Sequence, residues 1–279
     1  EEFNTGVAVG AWSTGGDLNT ARSQLAGAGT QTAALAFGGT LPPQSALTET
    51  YNGSAWTEVN DLNTARNGLA GAGTNTAALA FGGSPPYLAV TESWNGTNWT
   101  ELNDLNTARF LLAGAGTNTA ALGFGGYTGP PVPVHAAVTE SWNGTSWTEV
   151  NDLNTARGQL GGAGTQTSAL AFGGNQPPPR SALTESWNGT NWTEVNDLNT
   201  ARESIAGAGA DNTSALAFGG VPSPVPLTGA TESWNGTNWT EVNDLNTARQ
   251  SMGGAGTNIA ALAFGGFGPS YSAATEEFT

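Results

Sequence analysis

The sequence contains no cysteine, no lysine, one histidine and one methionine among its 279 residues. The absence of cysteine excludes disulfides, thiolate metal sites and thiol nucleophiles. No run of 18 apolar residues occurs, so we expect no segment to insert into a membrane. The 22 acidic residues outnumber the seven arginines, and the resulting net charge of −15 disfavours binding to nucleic acid or to anionic membranes.

In contrast to these absences, one unit of about 45 residues is repeated along the whole chain. The string Asp-Leu-Asn-Thr-Ala-Arg occurs six times, and its last residue is Arg22, Arg66, Arg109, Arg157, Arg202 and Arg249 in turn. Each copy continues with Gly and Ala, then an Ala-Leu-Ala-Phe-Gly-Gly type of segment, a variable Pro-rich stretch and a segment with two aromatic residues. A repeat of this length with frequent turn residues is typical of a β-propeller blade.

Each repeat predicts four short strands, named a to d here. In the second repeat strand a lies in 69–73, strand b in 78–81, strand c ends at Trp94 and strand d begins at Trp99. The Asn-Gly pair between strands c and d predicts a hairpin with a type I′ turn. We expect small residues in strand a because six such strands crowd around one axis, and aromatic pairs in strands c and d, where blades widen.

The order of these features resembles the kelch family over the whole chain. A Gly-Gly pair ends strand b, an aromatic residue and a Trp follow, and an Arg comes ten residues later, as in Gly83, Trp94, Trp99 and Arg109. The usual Tyr of the family is mostly Trp here, and its Pro-rich d–a link is Asn-Asp-Leu-Asn. The resemblance implies one all-β domain over residues 1–279, a six-bladed propeller of four-stranded antiparallel blades.

The chain ends predict how the ring closes. Trp12 precedes Arg22 by ten residues, as a strand d Trp does, and Phe278 stands where Trp234 stands in its own repeat. The N-terminus is therefore expected to supply strand d of a blade whose strands a, b and c come from the C-terminus. The chain starts without Met, so we expect a processed or partial chain. The Glu1–Thr5 segment is expected to join further chain or to contact a neighbour.

Differences between the six copies are confined to two places. One is the b–c loop, which accounts for nearly all the length variation, apart from an extra residue expected in the a–b loop near Asp211. The other is the pair of residues that follows each repeated Arg. Because successive strands run antiparallel, the b–c and d–a connections emerge on one face of the disc. Variable loops on a rigid scaffold commonly carry function, so this face is the expected binding surface.

The six repeated arginines have two interpretations. As a central ring they could bind an anionic ligand, because a guanidinium matches a carboxylate. As structural residues, which the kelch resemblance favours, they would tie neighbouring loops together. The expected partners in that case are the aspartates five residues earlier: Asp17, Asp61, Asp104, Asp152, Asp197 and Asp244.

Other repeated polar motifs are better explained by turns than by ligands. The Asp-Leu-Asn-Thr string matches only part of a calcium loop, and Asp and Asn also stabilise turns. Five Asn-Gly-Thr or Asn-Gly-Ser triplets match the glycosylation acceptor, but the expected hairpin turn explains them equally well. We therefore expect no metal site and no cofactor.

The best candidates for ligand contacts are nonrepeated side chains near the variable face. The aromatic candidates could form a stacking surface for a sugar or peptide or could simply pack the loops, and the one histidine could contact a ligand or be solvated. The set comprises Tyr87, Phe110, Tyr127, His135, Arg180, Phe267 and Tyr271.

These observations favour a binding function over catalysis. With one His and no Cys the chain cannot build the Tyr, His and Cys copper site of galactose oxidase, and it has no aspartate-box motif like those of sialidases. We expect a non-enzymatic extracellular adhesion module that binds a glycan or protein receptor, located outside the cell, on the cell surface or on a virion. The alternative is a structural subunit of a virion, filament or surface layer that assembles with its own copies through its loops or Glu1–Thr5.

Overall fold

A computed structural model describes residues 10–129, 134–176, 180–224 and 226–279, and these residues form six four-stranded antiparallel sheets around a common axis. Each sheet is one blade of a β-propeller. Blade 1 contains Ala26–Thr30, Ala33–Phe37, Thr48–Tyr51 and Trp56–Val59; blade 2 contains Ala70–Gly73, Ala78–Phe81, Thr91–Trp94 and Trp99–Glu101; blade 3 contains Ala113–Gly116, Ala121–Phe124, Thr139–Trp142 and Trp147–Val150. Blade 4 contains Gly161–Thr165, Ser168–Phe172, Thr184–Trp187 and Trp192–Val195; blade 5 contains Ala206–Asp211, Ser214–Phe218, Thr231–Trp234 and Trp239–Val242; blade 6 contains Gly253–Thr257, Ala260–Phe264, Thr275–Phe278 and Trp12–Thr14.

Blade 6 confirms the expected closure of the ring. Its outermost strand, Trp12–Thr14, pairs with Thr275–Phe278 in a register that places Trp12 opposite Phe278. Two main-chain hydrogen bonds between Ala11 and Thr279, of 2.9 and 3.1 Å, continue this pairing. Strands from the two ends of the sequence therefore complete one sheet, and no blade boundary is left open.

Aromatic rings hold each blade together and join it to the next. Within a blade the strand c and strand d aromatics lie with ring centroids 5.0–5.4 Å apart, as expected from the sequence. The strand b Phe of each blade also packs against the strand d Trp of the following blade, at 4.8–5.1 Å. Burial of each large ring contributes on the order of 2–3 kcal/mol, so stability is spread around the ring.

Each strand d Trp also makes a polar contact between blades. Its indole Nε1 donates to the hydroxyl of the first strand c Thr in the preceding blade, and the six distances lie between 3.0 and 3.1 Å. The bonds from Trp12 to Thr231 and from Trp56 to Thr275 belong to this set. The closing blade is thus linked to both neighbours in the same way as the others.

The glycine at the middle of strand a is required by close approach to the neighbouring blade. A Cβ built on Gly71 would lie 2.7 Å from the carbonyl oxygen of Gly27 and 2.7 Å from the ring of Phe37. Real Cβ atoms do not approach other atoms so closely, so no larger residue fits here without movement. The expected reason for small residues in strand a, crowding around the axis, is confirmed.

The connection between strands c and d is a hairpin, but the expected type I′ turn is wrong. In blade 2 Gly96 has a φ of +93°, whereas Asn95 is not among the residues with positive φ. Instead, the Asn95 side-chain oxygen accepts hydrogen bonds from the amides of Thr97 and Asn98, both 2.9 Å long. This side-chain turn closes a four-residue loop and uses the Asn of each glycosylation-type triplet.

The extra residue of the fifth repeat lies in a strand rather than in a loop. Strand a of blade 5 runs to Asp211, and its register with strand b shifts between Gly209 and Asp211. The insertion is therefore absorbed as a β-bulge. Within the described ranges the structure has no helix that is long and apolar enough to cross a membrane.

Candidate functional site

The six repeated arginines are fully buried and cannot reach a ligand in the central opening. Arg157 shows the pattern that five of the six share: its guanidinium donates to the carbonyl oxygens of Gly173 and Leu183, at 2.8 and 2.7 Å, and to Glu185 at 2.9 Å. Arg66 differs only in its carbonyl partners, which are Thr64 and Ala80. The same strand c glutamate is used in every blade, and the partners are Glu49, Glu92, Glu140, Glu185, Glu232 and Glu276. Burial lowers the pKa of these arginines, and the paired glutamate opposes that change.

The expected aspartate partners of these arginines are therefore wrong. Asp61, for example, accepts a hydrogen bond of 3.0 Å from the amide of Thr48, at the start of strand c in blade 1, whereas Arg66 pairs with Glu92 of blade 2. The Asn of the same string has a separate task, since Asn63 donates to Glu92 from its amide and its side chain. The sequence motif places Asp and Arg close together in sequence, but the two side chains serve different blades.

Two loops meet at the base of every blade on the variable face. The first residue after each Arg pairs in antiparallel fashion with the first residue of the b–c loop, for example Phe110 with Tyr127 and Gly158 with Asn175. In blade 5 this pairing becomes a short two-stranded sheet of Arg202–Glu203 and Val221–Pro222. The expectation that both variable segments lie on one face is confirmed, and here they are hydrogen-bonded to each other.

The second residue after each Arg forms a closed collar around the axis. Its amide donates to the carbonyl of the equivalent residue in the preceding blade, and six such bonds of 2.7–3.0 Å complete the circle. All six have positive φ between 52° and 58°, although only one is glycine. The collar consists of Gln24, Gly68, Leu111, Gln159, Ser204 and Ser251. Together with the apolar residue that follows each of its members, the collar lines an opening of about 120 Å³.

Four of the predicted ligand residues form one continuous run of rings, the aromatic arc. Tyr87 lies 5.1 Å from Phe110, Phe110 lies 5.4 Å from Tyr127, and Tyr127 lies 4.8 Å from His135, between ring centroids. Tyr127 is buried, and the other three rings are half-buried. His135 is therefore not an isolated solvated residue: it ends a run of edge-on and tilted ring contacts that crosses the loops of blades 2 and 3.

A polar network continues the arc across blades 4 and 5. His135 Nε2 lies 2.9 Å from the Asn175 side-chain oxygen, and the Asn175 side-chain amide donates to Glu203. Arg180 donates to the same carboxylate at 3.0 Å and to the carbonyl of Pro222 at 2.7 Å. Burial, assisted by the negative charge of Glu203, raises the pKa of Tyr127 to about 12, so its phenol stays protonated at neutral pH. We refer to Asn175, Arg180 and Glu203 as the polar end of the arc.

The remaining two predicted residues lie apart from the arc. Phe267 and Tyr271 pack against each other in the b–c loop of blade 6, with ring centroids 5.4 Å apart. Among the described residues they make no ring contact with the arc. The sequence analysis therefore predicted as one set the residues of two separate aromatic clusters on the same face, because the sequence does not show which rings are in contact.

Sequence reasoning also missed Asn175 and Glu203. Both stand at the variable positions where the loops pair, Asn175 at the start of a b–c loop and Glu203 directly after Arg202. Their variation among the repeats was the available signal, but only the structure shows that they join His135 to Arg180.

The charged groups of the protein are unevenly distributed. Each of the seven arginines pairs with a glutamate, so the net charge of −15 is carried by the other acidic residues. Arg180 is the one arginine with appreciable exposure, at 27% of its side chain. Among the residues that the structure describes, no three His, Asp or Glu side chains lie close enough together to hold a metal ion.

Comparison with known protein families and curated proteins identifies no relative of this chain. No protein-family model matches the chain, and no curated protein matches it either. The fold is therefore established by the architecture itself, which is a six-bladed β-propeller of four-stranded blades.

Proposed function

We propose that this protein is a kelch-like repeat propeller that acts as a non-enzymatic binding or adhesion module outside the cell. The repeated order of Gly-Gly, aromatic, Trp and Arg supports the kelch assignment. In this proposal the ligand, a glycan or a protein receptor, is bound on the face of the b–c and d–a loops. The cell surface or a virion is the proposed location, and no cofactor takes part.

The observation that carries this proposal is the aromatic arc with its polar end. Differences between the repeats occur where the loops meet, and in blades 2 to 5 they produce touching rings followed by hydrogen-bonding groups. Ligand sites commonly combine apolar contact area with a few polar groups that fix orientation. The arc has this composition, whereas the opposite face carries nearly identical turns in each hairpin.

The test is to screen the propeller against immobilised glycans and cell-surface proteins. The variant Tyr87→Ala/Phe110→Ala removes two of the three half-buried rings of the arc, and Phe267→Ala/Tyr271→Ala is the matched control on the same face. We expect binding to be lost in the first variant and kept in the second, with both melting temperatures close to that of the unchanged protein. Binding that survives the arc variant would contradict the proposal.

One structural observation favours the alternative of a self-assembling structural subunit. Ile259, in the a–b turn of blade 6, is 74% exposed, whereas the other five repeats have Thr at this position. It borders a groove of about 500 Å³ together with Val242 and Phe278, at the boundary where strands c and d of blade 6 come from different chain ends. Exposed apolar surface of this kind can mark an interface between copies. The predicted contact through Glu1–Thr5 lies outside the described residues.

The oligomeric state distinguishes the two functions. If copies assemble through this groove, light scattering should show an oligomer that dissociates in the variant Ile259→Thr, which restores the residue of the other repeats. A monomer at all accessible concentrations would exclude assembly through this surface and leave the binding module.

A further inference from the structure

The rings of the aromatic arc are held in place before any ligand arrives. Tyr127 lies between the rings of Phe110 and His135, and the three residues are also linked through the strand pairings Phe110↔Tyr127 and Tyr127↔His135. A site whose side chains are already ordered loses little conformational entropy on binding. The arc therefore presents a fixed row of rings at steps of about 5 Å.

A glycine in the next blade makes room for this row. A Cβ built on Gly158 would lie only 2.1 Å from the ring of Tyr127. Gly158 is the residue after Arg157, and the other repeats have Ser, Asn, Phe, Glu or Gln at this place. Tyr127 and Gly158 are thus complementary differences from the other repeats, located in two neighbouring blades. The arc is built by matched changes rather than by one isolated aromatic substitution.

The polar end offers both donors and acceptors without net charge. The carboxylate of Glu203 is held by Arg180 and by the Asn175 side chain, so the one accessible guanidinium is already paired. Arg180 and Glu203 are half-buried, and such sites favour short, oriented hydrogen bonds to a bound molecule. Such groups match hydroxyls, which donate and accept equally well.

The charge of the whole molecule selects against an anionic ligand. The net charge of −15 lies on acidic side chains outside the Arg–Glu pairs, and the sequence contains no lysine to offset it. Like charges reduce both encounter rate and affinity. The negative charge of the protein would repel a carboxylated or sulfated ligand. Arg180, the one accessible arginine that could bind such a ligand, is already paired with Glu203.

Resting on the proposed binding function, we propose that the arc binds a neutral oligosaccharide. The apolar faces of successive sugar rings contact Tyr87 and Phe110, and hydroxyl groups exchange hydrogen bonds with His135 and the polar end. A peptide that binds by strand addition fits less well, because that mode needs an unpaired strand edge and the loops here already pair with each other. The proposed ligand of the variable face is thus an uncharged glycan rather than any glycan or protein receptor.

The closing experiment measures binding to a printed array of neutral oligosaccharides of glucose, galactose, mannose and N-acetylglucosamine. Sialylated, uronic-acid and sulfated oligosaccharides and a panel of unstructured peptides are printed beside them. We expect a neutral oligosaccharide to bind. Its affinity should fall at least about thirtyfold in Tyr87→Ala/Phe110→Ala, as for a buried aromatic hot spot, and remain within about threefold in Phe267→Ala/Tyr271→Ala.

Two further measurements keep the result interpretable. The variant Asn175→Ala removes the hydrogen bonds that link His135 to Glu203, while the rings of Tyr87, Phe110 and Tyr127 keep their contacts with one another. It should weaken binding by about tenfold at constant fold, as judged by the melting temperature. Raising NaCl from 50 to 500 mM should change the affinity for a neutral oligosaccharide by less than about twofold, because no charge pair forms across the interface.

The outcomes separate the ligand class from the binding function. A sialylated or sulfated oligosaccharide that binds through Arg180, and is lost in Arg180→Gln, would overturn the neutral ligand while leaving a binding module. A peptide that depends on Tyr87 and Phe110 would do the same. A neutral oligosaccharide that binds equally to the arc variant would overturn the arc as its site. A face that binds no printed ligand would overturn the oligosaccharide proposal, and the screen of cell-surface proteins would then decide whether the binding function stands.

Discussion

The repeated arginines and the residues that directly follow them differ in how much they vary among the repeats. The six arginines are identical in every repeat and fully buried, whereas the residue after each of them differs and belongs to the variable face. Arg157 contacts two carbonyl oxygens and Glu185, and four other blades supply the same set of partners, whereas the next residue pairs with a loop whose sequence differs in every blade. A side chain is restricted by the number of fixed groups around it, not by its place in a repeat.

The largest expected effect comes from breaking the buried side of this comparison. The variant Arg157→Met removes three hydrogen bonds and leaves the Glu185 carboxylate buried without its cation. Breaking one partner of a buried ion pair costs about 3–5 kcal/mol, so we expect a large fall in the urea midpoint of unfolding. The double variant Arg157→Met/Glu185→Leu should recover part of this loss.

The matching change on the variable face should be nearly silent. Arg180→Gln breaks an ion pair of similar length, 3.0 Å, whose side chains are partly exposed, at 27% and 15%, rather than fully buried. Exposed pairs contribute about 0–1 kcal/mol, so the urea midpoint should hardly move. Equal losses for Arg157→Met and Arg180→Gln would contradict the division into a restricted interior and a tolerant face.

A second comparison uses two glycines three residues apart. Gly71→Ala places a methyl group 2.7 Å from a main-chain oxygen beside the axis and should cost about 1–3 kcal/mol through overpacking. Gly68→Ser changes a collar position where two other repeats already have Ser, so its cost should be about 1 kcal/mol or less. Chemical unfolding of both variants tests the order, and a more damaging Gly68→Ser would show that the collar is less adaptable than the repeats indicate.

Two tyrosines sharpen the comparison through their titration. Burial raises the pKa of both Tyr51 and Tyr127 to about 12, assisted by Glu277 for Tyr51 and by Glu203 for Tyr127. The folded state thus favours the neutral phenol. The stability from each is complete below the unfolded pKa of about 10 and is lost as pH rises from there towards 12.

Each acid should affect only its own tyrosine. The variant Glu203→Gln should lower the pKa of Tyr127, and Glu277→Ser, which restores the residue of four other repeats, should lower that of Tyr51. Burial remains the larger cause in both, so each pKa should stay above 10. Phenolate absorbance at 295 nm measures the change. A Glu203→Gln titration identical to that of the unchanged protein would show that the charge of Glu203 does not affect the pKa of Tyr127.

The one substitution expected to increase stability concerns the collar. Gln159 has a φ of +55°, a conformation that costs a residue with a Cβ roughly 1–2 kcal/mol, while the greater freedom of glycine in the unfolded chain offsets roughly 0.5–1 kcal/mol. We therefore expect Gln159→Gly to raise stability by roughly 0.5 kcal/mol in urea unfolding. A clear loss would mean that the Gln159 side chain stabilises the mouth of the opening.

Much of the fold was predictable because the same pattern of strand and turn residues occurs in every repeat. The positions of Trp12 and Phe278 in the repeat predicted the composite blade, and the structure pairs these two residues directly. The turn type was not predictable from Asn-Gly alone, because the Asn95 side chain replaces the expected main-chain geometry. The candidate site was predictable as a face and as a set of aromatic residues, but not as an arc.

The sequence by itself determined the number of blades, the strand order, the closing strand and the face on which the copies differ. These follow from local patterns, since spacing and turn residues act over a few positions and six copies average out accidents. Only the tertiary structure decided which side chains meet. It paired each repeated Arg with a strand c Glu rather than with the nearby Asp, and it connected Tyr87 of blade 2 to Arg180 of blade 4 through contacts between their loops. Such contacts depend on where neighbouring blades bring their loops in space, and a pattern within one repeat contains no information about that distance.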